Sequence, residues 1–99
     1  MAEPISVFAS FRPRAEAREV FLDLMSGMVE HTRDEPGCEV YDLYADADGG
    51  YHLFERYVDA AGLDAHRETA HYKDYRARVA DMLEGGIGVV VLTEIDRAG

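Results

Sequence analysis

Three short segments of this chain are apolar on both parities. Ile5, Val7 and Phe11 share their segment with Phe8, Leu53 and Tyr57 share theirs with Phe54 and Val58, and Val89 and Val91 alternate with Val90 and Leu92. Short runs of β-branched and aromatic residues read as strands, and a strand apolar on both sides has to be covered on both faces. Only two regions carry helical periodicity, and two helices cover one face of a sheet. The other face needs a second body. A homodimer packed sheet against sheet is the expected answer.

The order of elements follows from the same patterning. Ile5–Arg12 alternates as a strand and Pro13 ends it. From Ala15 to about Arg33, Val20, Phe21, Leu24, Met25, Met28 and Val29 keep helical spacing until Pro36-Gly37. Cys38–Tyr44 and Tyr51–Val58 are strands joined by the Asp- and Gly-rich turn 46–50. Asp59 is placed to cap a short helix through His66. Thr69 is placed to cap a longer one whose stripe is Tyr72, Tyr75, Val79, Met82 and Leu83. Gly85-Gly86 breaks that helix, and Gly88–Asp96 is the last strand. The sum is β-α-β-β-α-β, an α+β ferredoxin-like arrangement with an antiparallel sheet and its helices on one face, in one domain spanning residues 1–99.

Composition narrows the partners. Twenty Asp and Glu against ten Lys and Arg give a net charge of −10, which repels phosphate backbones and anionic lipid, so neither nucleic acid nor membrane is expected. The longest apolar run, Val89–Leu92, cannot span a bilayer, and the first residues lack the pattern of an export signal. A lone Cys38 forms no internal disulfide, so a cytoplasmic location is expected. There is no Asn, Gln or Trp. Chemistry therefore falls to His, Tyr, Asp, Glu, Arg, hydroxyl or backbone groups.

Those groups concentrate in Tyr51–Leu83. Glu55 lies in mid-strand on the face of Tyr51, Leu53 and Tyr57, where burial would raise its pKa towards values useful in acid–base work. His71 would be the second residue of the helix capped by Thr69, whose positive end keeps an imidazole neutral and able to accept a proton. His66, just upstream, could face the same cavity. The candidate bases are His66, His71 and Glu55. The candidate substrate contacts are Tyr57, Tyr72, Leu53 and Tyr51, although Tyr72 and Tyr75 also begin an apolar stripe and read as core. An i,i+5 spacing does not set His66 and His71 on one helical face, so no metal site is expected. Gly85-Gly86-Ile87-Gly88 lacks a strand–loop–helix context, so no phosphate cradle or other cofactor is expected either.

Glu35-Pro36-Gly37-Cys38, Tyr51–Val58, Leu63-Asp64-Ala65-His66 and Thr69-Ala70-His71-Tyr72 together resemble the antibiotic biosynthesis monooxygenase domain family over nearly the whole chain, from Ile5 to Ile95. The resemblance implies a dimeric α+β barrel with a pocket between sheet and helices, and Tyr57 at a pocket-facing position. The haem-degrading branch uses an Asn, a Trp and an axial His, and the antibiotic-tailoring members lean on Asn and Trp; this chain has no Asn and no Trp. It is most similar to the quinol monooxygenase and autoinducer-isomerase branches. Two functions follow as expectations. One is a cofactor-independent enzyme acting on a phenolic or enolisable small molecule, by oxygenation or by isomerisation of a phosphorylated sugar-like ketone. The other is a non-catalytic dimeric module that binds a metabolite.

Overall fold

A computed structural model describes residues 3–98. Strand β1 (Ile5–Phe11) is followed by a 3₁₀ turn (Ala15–Ala17), helix α1 (Arg18–Arg33), strands β2 (Cys38–Ala45) and β3 (Tyr51–Tyr57), helices α2 (Ala60–Glu68) and α3 (Ala70–Val79), a 3₁₀ turn (Ala80–Met82) and strand β4 (Gly88–Thr93). The four strands form one antiparallel sheet in the order β2-β3-β1-β4, the ferredoxin-like α+β fold expected from the sequence. No helix among the described residues is long and apolar enough to cross a membrane.

Local chemistry sets the boundaries. Asp59 Oδ1 accepts from the Gly62 N–H at 2.8 Å and starts α2. Thr69 acts twice: its hydroxyl donates to the His66 carbonyl at 2.7 Å, closing α2, and accepts from the Tyr72 N–H at 3.2 Å, opening α3. The β2–β3 turn needs Gly49 at φ +85°. β4 stops at Thr93, short of the expected Asp96, because Thr93 already faces Ile5, where β1 begins.

Register fixes what faces the helices. Val7, Glu55 and Tyr41 lie side by side in one row, with Ala9, Leu53 and Leu43 in the next. Phe11, Phe21, Met25, Met28, Leu53, Val79 and Leu83 fill the core between sheet and helices. The helices lie over β2, β3 and β1 and leave β4 open on both sides. Val89 and Val91 on the helix side are 43% and 48% exposed, and Val90 and Leu92 behind them 53% and 40%. The unmet apolar surface is thus larger than one sheet face.

One close approach joins the loop before β2 to α2. A Cβ on Gly37 would lie 2.9 Å from the Gly62 Cα, and one on Gly62 would lie 3.1 Å from the Gly37 carbonyl oxygen. The Gly37 carbonyl also accepts from the Val58 N–H at 2.9 Å. Gly37→Ala should therefore cost about 1–3 kcal/mol by forcing α2 outward. Gly27→Ala, in α1 with nothing within 4 Å of the new methyl, should add roughly 0.5–1 kcal/mol. Urea unfolding of the two variants checks both signs.

Candidate functional site

The close approach of Gly37 to Gly62 brings Glu35 against the end of α2. Glu35 Oε2 lies 3.0 Å from His66 Nδ1 and 2.6 Å from His71 Nε2, and its Oε1 lies 3.1 Å from the same His66 nitrogen. A carboxylate only accepts, so the protons belong to His66 Nδ1 and His71 Nε2. His66 Nε2 is left without one. It points towards Glu55 Oε1, 4.0 Å away.

The His66 ring is 2% exposed and is walled by phenols, with ring centroids 5.7 Å to Tyr41, 5.3 Å to Tyr57 and 5.0 Å to the edge of Tyr72. Desolvation lowers its pKa, and Glu35 pulls the other way. Glu55 accepts from the Tyr57 hydroxyl at 2.6 Å. Burial nevertheless raises the Glu55 pKa to about 7, with the Tyr57 bond and the Arg67 charge opposing the rise. Burial also holds Tyr41, Tyr57 and Tyr75 as neutral phenols, their pKa values raised chiefly by desolvation.

A cavity of about 30 Å³ opens between these groups, lined by Glu55, His66, Tyr41, Tyr72 and Tyr75 with Val7 and Ala9 as its floor. Arg67, Arg76 and Val89 stand at its edge. By the usual measure it holds about one or two waters, so an aromatic ring has to lie outside it.

Among the residues singled out from sequence, His66, Glu55 and Tyr72 meet at this cavity. His71 reaches the group through Glu35 and lines a separate open cleft, its ring stacked on His31 with centroids 5.6 Å apart. Tyr57 lies behind Glu55 and is fully buried, with its hydroxyl committed to that carboxylate. Leu53 is fully buried core, and Tyr51 packs on Phe21 at 5.2 Å. Sequence reasoning gave Glu35 no chemical role, though its segment stood out, and it missed Tyr41 and Arg76. The inward parity of Tyr41 in β2 was a usable signal; nothing in the spacing of Glu35 was. Nor does the i,i+5 spacing keep the two histidines apart, because Thr69 separates them onto two helices. Glu35, His66 and His71 present ligand atoms within 4.8 Å of one another.

The family model for antibiotic biosynthesis monooxygenases matches residues 4–78. The chain belongs to this family. It is 46% identical over 99 residues to "Putative monooxygenase Rv0793" of Mycobacterium tuberculosis, covering 99% of this chain and 98% of that protein. It is 31% identical over 84 residues to "Putative monooxygenase YcnE" of Bacillus subtilis, covering 83% and 88%. The solved structure of Rv0793 superposes with a TM-score of 0.94 at 44% identity, over 97% of this chain and 99% of that one. A crystal structure described as an antibiotic biosynthesis monooxygenase superposes with a TM-score of 0.87 at 30% identity, over 93% and 99%.

The raised pKa of Glu55 has a consequence for stability. Between about pH 4.5 and 7 the native protein holds a proton there that the unfolded chain has released, so stability falls as pH rises through this window. Glu55→Gln keeps an acceptor for Tyr57 and removes the buried charge. Urea titrations of chelator-treated protein should show this variant more stable than the wild type at pH 8 by about 3 kcal/mol, since each tenfold change in proton affinity is worth about 1.4 kcal/mol. At pH 4 the two should be nearly equal.

Proposed function

We propose that this chain is a cofactor-independent monooxygenase of a phenolic or enolisable small molecule. The observation that carries the reading is the single buried line Glu35–His66–Glu55. Glu35 fixes the tautomer with Nδ1 protonated, so Nε2 faces the cavity as an acceptor. His66 takes a proton from the substrate, and the resulting anion gives an electron to O₂. The radical pair combines to a peroxide anion, which takes the proton back from His66 to give a hydroperoxide. Loss of water from it turns a CH₂ plus O₂ into C=O plus H₂O, with no outside reductant. The cavity suits O₂, and the exposed strip of Val89 and Val91 beside it suits the face of an aromatic ring.

One observation supports the isomerase alternative. In a chain of net charge −10, Arg67 and Arg76 both stand at the cavity edge, where two guanidiniums suit a phosphorylated ketone. Removing a proton at one carbon and returning it at the next needs the same base and no O₂.

A homodimer belongs to the same reading. Phe8, Val90 and Leu92, at 39%, 53% and 40% exposure on the helix-free face, form the surface that a second copy would cover. Light scattering after size exclusion should give twice the chain mass at micromolar concentration; a monomer there would end this part.

Oxygen uptake by the full chain over a panel of quinols and enolisable ketones tests the activity. His66→Phe should lower kcat by about 10²–10⁴-fold with the fold retained. Glu35→Gln should lower it by roughly 10–100-fold, since it loosens the ring that takes the proton. Full turnover in both variants on a confirmed substrate would refute the assignment, and turnover without O₂ would favour the isomerase.

A further inference from the structure

We propose that Glu35, His66 and His71 form a binding site for one first-row divalent cation of the Zn²⁺ or Co²⁺ type. Two imidazole nitrogens and one carboxylate are a donor set that suits such ions and does not suit Mg²⁺ or Ca²⁺, which favour oxygen alone.

The geometry is close to what an ion needs. Ligands bound at about 2.0–2.2 Å in a tetrahedron stand roughly 3.4 Å apart. Glu35 Oε2 now lies 3.0 Å from His66 Nδ1 and 2.6 Å from His71 Nε2, and the whole set falls within 4.8 Å. Rotation of the Glu35 side chain opens both short contacts, and the two imidazole nitrogens, within 4.8 Å of each other, close on the ion. The protons that bridge them are the ones a cation would replace.

Four further features fit a cation. The ligands stand on the α1–β2 loop, the end of α2 and the start of α3, and the Thr69 double cap and the Gly37–Gly62 contact hold these in place. His66 Nε2 faces the Glu55 carboxylate, the outer partner that metal-bound imidazoles commonly have. The His71 side chain is 24% exposed and opens on a cleft of about 230 Å³ lined also by Asp23, His31 and the Asp74–Arg78 ion pair, so an ion can reach it from solvent. The net charge of −10 favours cation approach.

Occupancy would change the chemistry next door. With Nδ1 on a cation, the ring proton of His66 moves to Nε2, which then donates towards Glu55 and no longer accepts. Cation binding and base action by His66 exclude one another. This consequence rests on the reading of His66 as the base; the binding test does not.

That test titrates the chelator-stripped full chain with Co²⁺, read by its visible d–d absorption, and with Zn²⁺ by calorimetry. One ion per chain should bind at micromolar concentration or tighter. Affinity should fall about 10–100-fold in Glu35→Gln and in His71→Ala, and stay unchanged in His52→Ala, which removes a histidine paired with Asp46 elsewhere on the surface. Circular dichroism establishes that each variant is folded, and the partly exposed His71 keeps the test decisive should Glu35→Gln unfold. No uptake by the wild type, unchanged affinity in a folded His71→Ala, or loss of the ion in His52→Ala overturns the proposal.

Discussion

The Glu35 carboxylate joins parts of the chain that the fold alone leaves separate. It sits on the loop after α1 and is nearly buried, yet it takes hydrogen bonds from residues 31 and 36 positions away. A carboxylate without partners at that depth is costly, so the two imidazole donors are a condition of its being there. They in turn require that α2 end and α3 begin within five residues, which the Thr69 double cap arranges. They also require α2 to approach the loop backbone to backbone, which Gly37 and Gly62 permit. The Glu-Pro-Gly-Cys segment therefore has a mechanical account: an acid to hold the imidazoles, a proline to stop the helix, and a glycine to let α2 close over it.

The site also shows how a ferredoxin-like sheet holds acid–base groups in an apolar core. Glu55 occupies a central row, between Val7 and Tyr41. Two of the polar groups near it are matched locally: Tyr57 donates to Glu55, and Glu35 holds His66. Phenols fill the remaining space, and burial keeps them neutral, so they exclude water without adding charge. A small cavity bounded by one acceptor nitrogen and one carboxyl group is what remains.

How much of this the sequence made legible depends on the range of the interaction. Strands and helices came from periodicities local to a few residues, so the element order and both caps at Asp59 and Thr69 were readable. The parity of Tyr51, Leu53, Glu55 and Tyr57 placed them all on the helix side. Parity cannot say which of them reaches a cavity, because depth depends on what the helices place above each row. Leu53 lies under Phe21 and Met25 in the core, and Tyr57 lies behind Glu55. Glu35 was visible as a motif and not as a partner, because its meaning exists only once α2 has folded over the loop. Counting five positions between His66 and His71 presupposes a single helix. Thr69, legible as a cap, is what interrupts it.

The uncovered strand follows from the same geometry. α3 ends at Val79 and packs against α1, which lies over β2, so the helical layer does not extend to β4 at the other end of the sheet. The edge strand keeps four apolar side chains in contact with water, two on each face. The two faces have different neighbours. Behind the sheet they continue into Phe8 and Phe54; on the helix side Val89 borders the cavity that holds His66 and Glu55. One apolar strip therefore has two settings, an exposed surface behind the sheet and a wall beside His66 Nε2. A polar substitution at Val90 would act on the first setting and one at Val89 on the second, although the two residues are adjacent in the chain.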